Sequence, residues 1–299
     1  MSAWESKAEP RRSLRRLLIG TDLSSRADRA LRRGALIAVA SGAELLLVHA
    51  VDDDQPRSLV EMERREAIAL LRDQVAGLAE LRGVPTTPLI EEGDPFEVVI
   101  RVAEGRDVDL VVLGEHRRRP LRDIFVGTTV ERVMRYGPHP VLMVNEPVSG
   151  PYRRVLAATD LSERSARALH AAARLGFLDA AALTVLHAFE PPGLGALALA
   201  DARPAAVAAH EAESAREASS ALASFVSALG LPGRPEQRVL AGPPATVIKE
   251  FVGTTRPDLL VVGTAGAGFL RRAVLGSVAA ELLAAVRCDA LAVPPEGLP

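Results

Sequence analysis

The stretch Gly263-Thr264-Ala265-Gly266-Ala267-Gly268-Phe269-Leu270-Arg271-Arg272-Ala273-Val274-Leu275-Gly276-Ser277 follows the apolar run Leu259-Leu260-Val261-Val262. It reads as a strand ending at Val262, a glycine-bearing excursion, and a helix restarting at Gly276-Ser277-Val278. Gly263, Gly266 and Gly276 stand where backbone must turn sharply and approach a ligand closely, which only a residue without a Cβ does cheaply. At the restart, unpaired helix N–H groups point away from the strand end, and a phosphate is their natural occupant.

Two kinds of glycine loop could produce this pattern. The dinucleotide fingerprint is G-x-G-x-x-G on the first strand–helix turn of its domain. Here the order is G-x-x-G-x-G and the stretch comes late in its half of the chain, which counts against a nicotinamide site. The order G-x-x-G, nine residues, then G-Ser/Thr resembles the nucleotide-binding type of the universal stress protein family, and Gly263, Gly266, Gly276 and Ser277 match it at all four positions.

The chain is one unit written twice. Arg15-Arg16-Leu17-Leu18-Ile19-Gly20-Thr21-Asp22-Leu23-Ser24 returns as Arg153-Arg154-Val155-Leu156-Ala157-Ala158-Thr159-Asp160-Leu161-Ser162, an offset of 138 that also carries His49-Ala50 to His187-Ala188. Beyond that the offset is 149: Gly93-Asp94-Pro95 goes to Gly242-Pro243-Pro244, Gly114 to Gly263, and Gly127-Thr128 to Gly276-Ser277. A period this long is a duplicated domain rather than a solenoid repeat. The sequence divides into a polar tail (1–13), a first domain (14–146), a proline-bearing linker (147–151), a second domain (152–295) and a short tail (296–299).

Within the first copy, apolar runs and helical spacings alternate. Strands are predicted at 17–20, 44–51, 86–91, 109–114 and 140–145. Helices run from Asp22 or Ser24 to about Ala40, through Ile68, Leu71, Val75 and Leu78 to a stop at Gly83-Val84-Pro85, over 95–103, and over 127–136. Such alternation predicts an α/β fold: two tandem open-sheet three-layer domains, each with a parallel five-stranded core. The resemblance implies the strand order 3-2-1-4-5 and an adenine nucleotide α-hydrolase-like architecture. It also implies that the last strands of the two domains pair, making an intramolecular pseudo-dimer that can pair again as a homodimer. In that order Asp160 and Gly263 end adjacent strands at the switch point, where ligands bind outside the carboxyl ends.

Composition bounds the function. A net charge of −2 and an apolar content of 48% describe a globular chain without a general field for nucleic acid or anionic membrane. No apolar run reaches membrane-span length, and the start of the chain lacks a secretory h-region, so a cytoplasmic protein is expected. The lone Cys288 excludes an internal disulfide and reads as a buried structural thiol.

The resemblance implies ATP or a related adenine nucleotide in the second copy. Thr159, Asp160, Ala188 and Val262 would contact the nucleotide, Asp160 by the base or ribose, directly or through Mg²⁺, and Ala188 by its backbone at the adenine. Gly263 and Gly266 would flank ribose and phosphates, and Gly276, Ser277 and Val278 would hold phosphate oxygens. Thr159-Asp160 has the rival reading of a helix cap, and His187 that of a hydrogen-bonded strand histidine rather than a metal ligand. The corresponding positions in copy one are Asp22, Ala50, Gly114, Gly127 and Thr128, but Arg117 replaces the second glycine. That side chain either blocks close backbone approach or, with Arg118, Arg119 and Arg122, clasps phosphate. The additional segment at 190–205 reads as a surface elaboration, with a lid as its functional rival. There is no Walker lysine, the nearby basic residues being Arg271 and Arg272, and no general base beyond Asp160. A nucleotide-responsive stress or regulatory module, acting on an unidentified protein partner, is therefore expected over a slow ATPase or a nucleotide-free interaction module.

Overall fold

The computed structural model describes residues 14–115, 128–191, 204–264 and 275–295. The first half runs β1 (Arg16–Gly20), α1 (Ser25–Ser41), β2 (Glu44–Val51), α2 (Arg57–Gly77), β3 (Thr86–Glu92), α3 (Pro95–Gly105), β4 (Leu110–Gly114), α4 (Thr129–Tyr136) and β5 (Val141–Val144). The second half repeats it with β6 (Arg154–Thr159), α5 (Glu163–Arg174), β7 (Ala182–Phe189), α6 (Pro204–Leu229), β8 (Glu236–Ala241), α7 (Pro244–Thr255), β9 (Leu259–Gly263), α8 (Ser277–Ala285) and β10 (Asp289–Val293).

All ten strands join one sheet in the order β3-β2-β1-β4-β5-β10-β9-β6-β7-β8. Each half thus has the order 3-2-1-4-5, with parallel neighbours throughout. The halves meet where β5 and β10 pair antiparallel, Leu142 opposite Leu291. Parallel strands covered on both faces must be apolar on both, and the first four residues of β4 and of β9 are all buried. One core layer contains Leu17, Ile19, Leu142, Leu259 and Leu291, and the opposite layer Leu18, Val111, Met143, Leu260 and Ala290, so both run across the seam between the halves.

One helix departs from its sequence reading. The α2 helix stops at Gly77, not at Gly83, because Leu78 leaves it in an extended conformation (φ −89°, ψ 109°). A short 3-10 turn over Ala79–Leu81 follows, which lets both Leu78 and Leu81 turn into the core. Two helical starts are set by residues the sequence left ambiguous: Ser24 and Ser162, not the aspartates before them, are the N-cap positions of α1 and α5.

The seam holds a buried polar hub with no counterpart in the repeat. Asp289, wholly buried on β10, accepts hydrogen bonds from Arg33 Nε (3.1 Å), the Tyr152 hydroxyl (2.6 Å) and the backbone N–H groups of Asn145 (2.9 Å) and Glu146 (3.2 Å). Arg33 also donates to the Gly150 carbonyl at 2.6 Å and stacks over the Tyr152 ring. Asn145 Nδ2 donates to the Cys288 carbonyl at 2.7 Å. The repeat-equivalent positions of Arg33 and Asp289 are Ala171 and Pro140, so the hub ties the linker to one side of the seam only.

Burial in this hub shapes the alkaline limit of stability. Desolvation, with Asp289 adjacent, pushes the Cys288 thiol up to about 12 and raises the Tyr152 phenol well above its ordinary 10.0. Both groups ionise earlier in the unfolded chain, so stability should be intact below about pH 9 and fall as pH rises toward 12. Thermal melts followed by circular dichroism across that window check this, and Tyr152→Phe should flatten the decline.

Candidate functional site

At the carboxyl ends of β6 and β9, the second half forms a cleft of ≈ 230 Å³. Its walls bring together Thr159, Asp160, Ala188, Val262, Gly263, Gly276, Ser277 and Val278. Gly266 lies outside the described residues. Walls that the sequence left unassigned come from Ser165, Pro244, Ile248 and Leu282. Only the repetition of Gly-x-Pro at 93–95 and 242–244 hinted at the first turn of α7.

The turn after β6 is braced from within. The Thr159 hydroxyl accepts the Leu161 N–H (2.9 Å), and Asp160 Oδ1 accepts the Ser162 N–H (3.1 Å) and hydroxyl (2.5 Å). These braces hold Leu161 at φ 62°, a left-handed conformation uncommon for a residue with a side chain, and Leu23 has φ 60° at the same place in the first half. Both leucines pack on the core, so the strained turn aims the preceding aspartate at the cleft mouth. Asp160 is therefore not a helix cap.

His187 lines the same cleft, and its Nδ1 lies 2.9 Å from the Thr159 carbonyl. A carbonyl only accepts, so Nδ1 carries the hydrogen; His49 makes the same bond to Thr21 at 2.9 Å. Both histidines clamp β1 to β2 or β6 to β7. Among the described residues no cluster of His, Cys, Asp and Glu could hold a metal ion.

The glycine excursion is pinned at its base, where the Gly276 N–H donates to the Thr264 carbonyl at 2.6 Å and the Thr264 N–H to Val293 at 3.0 Å. Gly276 is the N-cap of α8 in an extended conformation (φ −57°, ψ 145°), and among the described residues no side chain caps this helix. The N–H groups of Ser277, Val278 and Ala279 have no acceptor among the described residues, and all three residues line the cleft. Gly263 has a second reason to be glycine: a Cβ there would stand 3.3 Å from the Arg164 carbonyl on α5. The first glycine of the motif is thus fixed by helix packing as well as by any ligand.

The first half has its own cleft, ≈ 590 Å³, lined by Asp22, Ser24, His49, Ala50, Gly114, Glu115 and Thr128. Gly127 and Arg117 lie outside the described residues. Here α4 caps itself, Thr128 Oγ1 accepting the Glu131 N–H at 3.1 Å. The two helix starts, aligned in sequence, are chemically different: one is closed by its own side chain and the other is open.

The family model for the universal stress protein family matches residues 13–145 and again 151–294. A universal stress protein of Methanocaldococcus jannaschii is 26% identical over 159 residues, 44% of this chain and 94% of that protein. The crystal structure of a universal stress protein from Archaeoglobus fulgidus superposes with a TM-score of 0.67 at 16% identity, covering 95% of this chain and 99% of that one. A universal stress protein solved in complex with cAMP is 27% identical over 48% of this chain and 98% of its own, with a TM-score of 0.32. Among the described residues no helix is long and apolar enough to cross a membrane.

Proposed function

The chain belongs to the universal stress protein family, and from that premise we propose that its second half binds ATP or a related adenine nucleotide. In this reading it is a cytoplasmic stress-response or regulatory module rather than an enzyme. The observation that carries the proposal is the start of α8, which no described side chain caps and whose first N–H groups, with no acceptor among the described residues, open into the cleft bounded by Asp160 and Ala188. Three N–H groups and the positive end of a helix dipole suit a phosphate, and the Ser277 hydroxyl adds a further donor. The small, partly apolar wall at Ala188, Pro244 and Ile248 suits a base, and Asp160 a ribose hydroxyl or a bound Mg²⁺. Binding would act by favouring one conformation or partner through its differential affinity.

Hydrolysis would need a base to activate water. Asp160 is the nearest carboxylate among the cleft residues, and its Oδ1 already accepts two bonds from Ser162. Binding without efficient turnover follows. Mass spectrometry of co-purifying small molecules, then ATP titration by calorimetry, tests the reading. One ATP per chain is expected. No bound nucleotide, and no heat at millimolar ATP, would leave a nucleotide-independent interaction module.

A further inference from the structure

The ten-stranded sheet ends at β3 and β8, since β5 and β10 already pair with each other. Backbone N–H and C=O groups of successive residues point to alternate sides of a strand. Gly93 donates its N–H inward to Val51 at 3.0 Å, and Gly242 donates its own to Phe189 at 2.8 Å. Counting back by twos, the outward residues are Thr86, Pro88, Ile90 and Glu92 on β3, and Gln237, Val239 and Ala241 on β8. The β3 edge is closed: Pro88 has no N–H to offer at its middle, and the outward carbonyl of Glu92 accepts from Arg101 at 3.1 Å. The β8 edge is open. Five of its six residues are exposed, no proline interrupts it, and the outward groups of Gln237, Val239 and Ala241 meet no hydrogen-bond partner among the described residues. The repeat, at its offset of 149, puts Gln237 where β3 has Pro88.

An open edge recruits another strand, and its side chains choose which. Glu236, Arg238 and Leu240 share one face of β8, where Glu236 and Arg238 pair along the strand. A strand of arbitrary sequence meets unmatched charge there. A second copy of this chain does not: run antiparallel about a two-fold axis at Gln237, it sets Glu236 opposite Arg238 twice over, while the two Gln237 residues exchange N–H···O bonds. Centring on Arg238 would oppose like charges. We infer that β8 is the surface through which two copies of the chain associate, joining their sheets edge to edge with Gln237 opposite Gln237. Because Pro88 closes β3, the assembly stops at a pair: β8 meeting β3 would propagate as an open filament, whereas β8 meeting β8 is self-complementary and closed. No residue of β8 lines the second cleft, so the association stands apart from the nucleotide reading.

Sedimentation velocity on the full chain tests this. A dimer whose share grows through the micromolar range is expected. Gln237→Pro should sediment as a monomer with an unchanged melting curve, because the N–H it removes is unused within the chain and the first half carries proline at the same place. Glu236→Arg and Arg238→Glu should each weaken self-association about tenfold or more, since one reversal turns both attractions into repulsions. Mixing these two variants in equal amounts should restore the dimer, as every charge then faces its opposite. Both substitutions lie on exposed residues, which keeps the test independent of how Gln237→Pro folds. A wild-type chain that stays monomeric at high micromolar concentration, a dimer that survives Gln237→Pro, or a mixture that stays monomeric would each overturn the inference.

Discussion

Asp289→Leu should destabilise the protein by about 3–5 kcal/mol, the range for removing one partner of a buried ion pair, and lower its melting temperature by on the order of 10 °C. The carboxylate is wholly buried and accepts from four donors: Arg33, Tyr152 and the N–H groups of Asn145 and Glu146. Removing it strands a guanidinium that is itself buried, with side-chain exposures of 6% and 1% for Arg33 and Asp289. The double variant Arg33→Met with Asp289→Leu should recover part of the loss, since no charge is then left unpaired. Recovery stays incomplete because the Tyr152 hydroxyl and two backbone N–H groups remain without their acceptor. Thermal and urea unfolding of the four chains in this cycle measure the effect. A loss below about 1 kcal/mol in the single variant, the scale of an ordinary exposed pair, would mean that the hub does not hold the seam.

That hub marks the limit of what the sequence disclosed. The duplication follows from features that repeat, namely apolar runs, Thr-Asp turns and glycines at a fixed offset, whereas the strand order and the β5–β10 pairing were implied only by the family resemblance those features carry. The hub lives in what does not repeat. Arg33 faces Ala171 in the alignment of the halves and Asp289 faces Pro140, and a charge inside the buried strand run Asp289-Ala290-Leu291-Ala292-Val293 was the available sign. Pairing it with Arg33 needed tertiary geometry, since the two lie on different halves. Eight of the cleft's lining residues were named through the same resemblance, whereas Ser165, Ile248 and Leu282 belong to no motif in the sequence and Pro244 only to the repeated Gly-x-Pro. The state of each helix start was not legible, because Thr128 and Ser277 are both good capping residue types. Whether the hydroxyl occupies the cap position depends on one residue of backbone: Thr128 sits at the N-cap, whereas Ser277 is already the first helical residue behind Gly276.

This one-residue difference supports a substitution that separates binding from folding. Ser277→Pro should weaken ATP binding roughly 100-fold or more while leaving the apo melting temperature nearly unchanged. Proline is well tolerated at the first helical position, where the missing N–H has no intrahelical acceptor. It restricts the preceding residue to extended backbone, and Gly276 is already there at φ −57°, ψ 145°. What the substitution removes is one N–H and one hydroxyl at the mouth of the cleft. Hydrogen bonds to a charged group contribute about 1.5–3 kcal/mol each, so losing two is worth two or more factors of ten. Gly263 would be a poorer probe, because a Cβ there crowds the Arg164 carbonyl and would disturb α5 with or without ligand. Thr129→Pro, at the first helical position of α4, is the control: Thr128 is likewise extended (φ −74°, ψ 155°), so the fold should tolerate it and ATP affinity should not move. Calorimetry on both folded variants decides the matter. Unchanged affinity in Ser277→Pro would detach the start of α8 from the nucleotide, and a loss in Thr129→Pro would place the triphosphate in the first half instead.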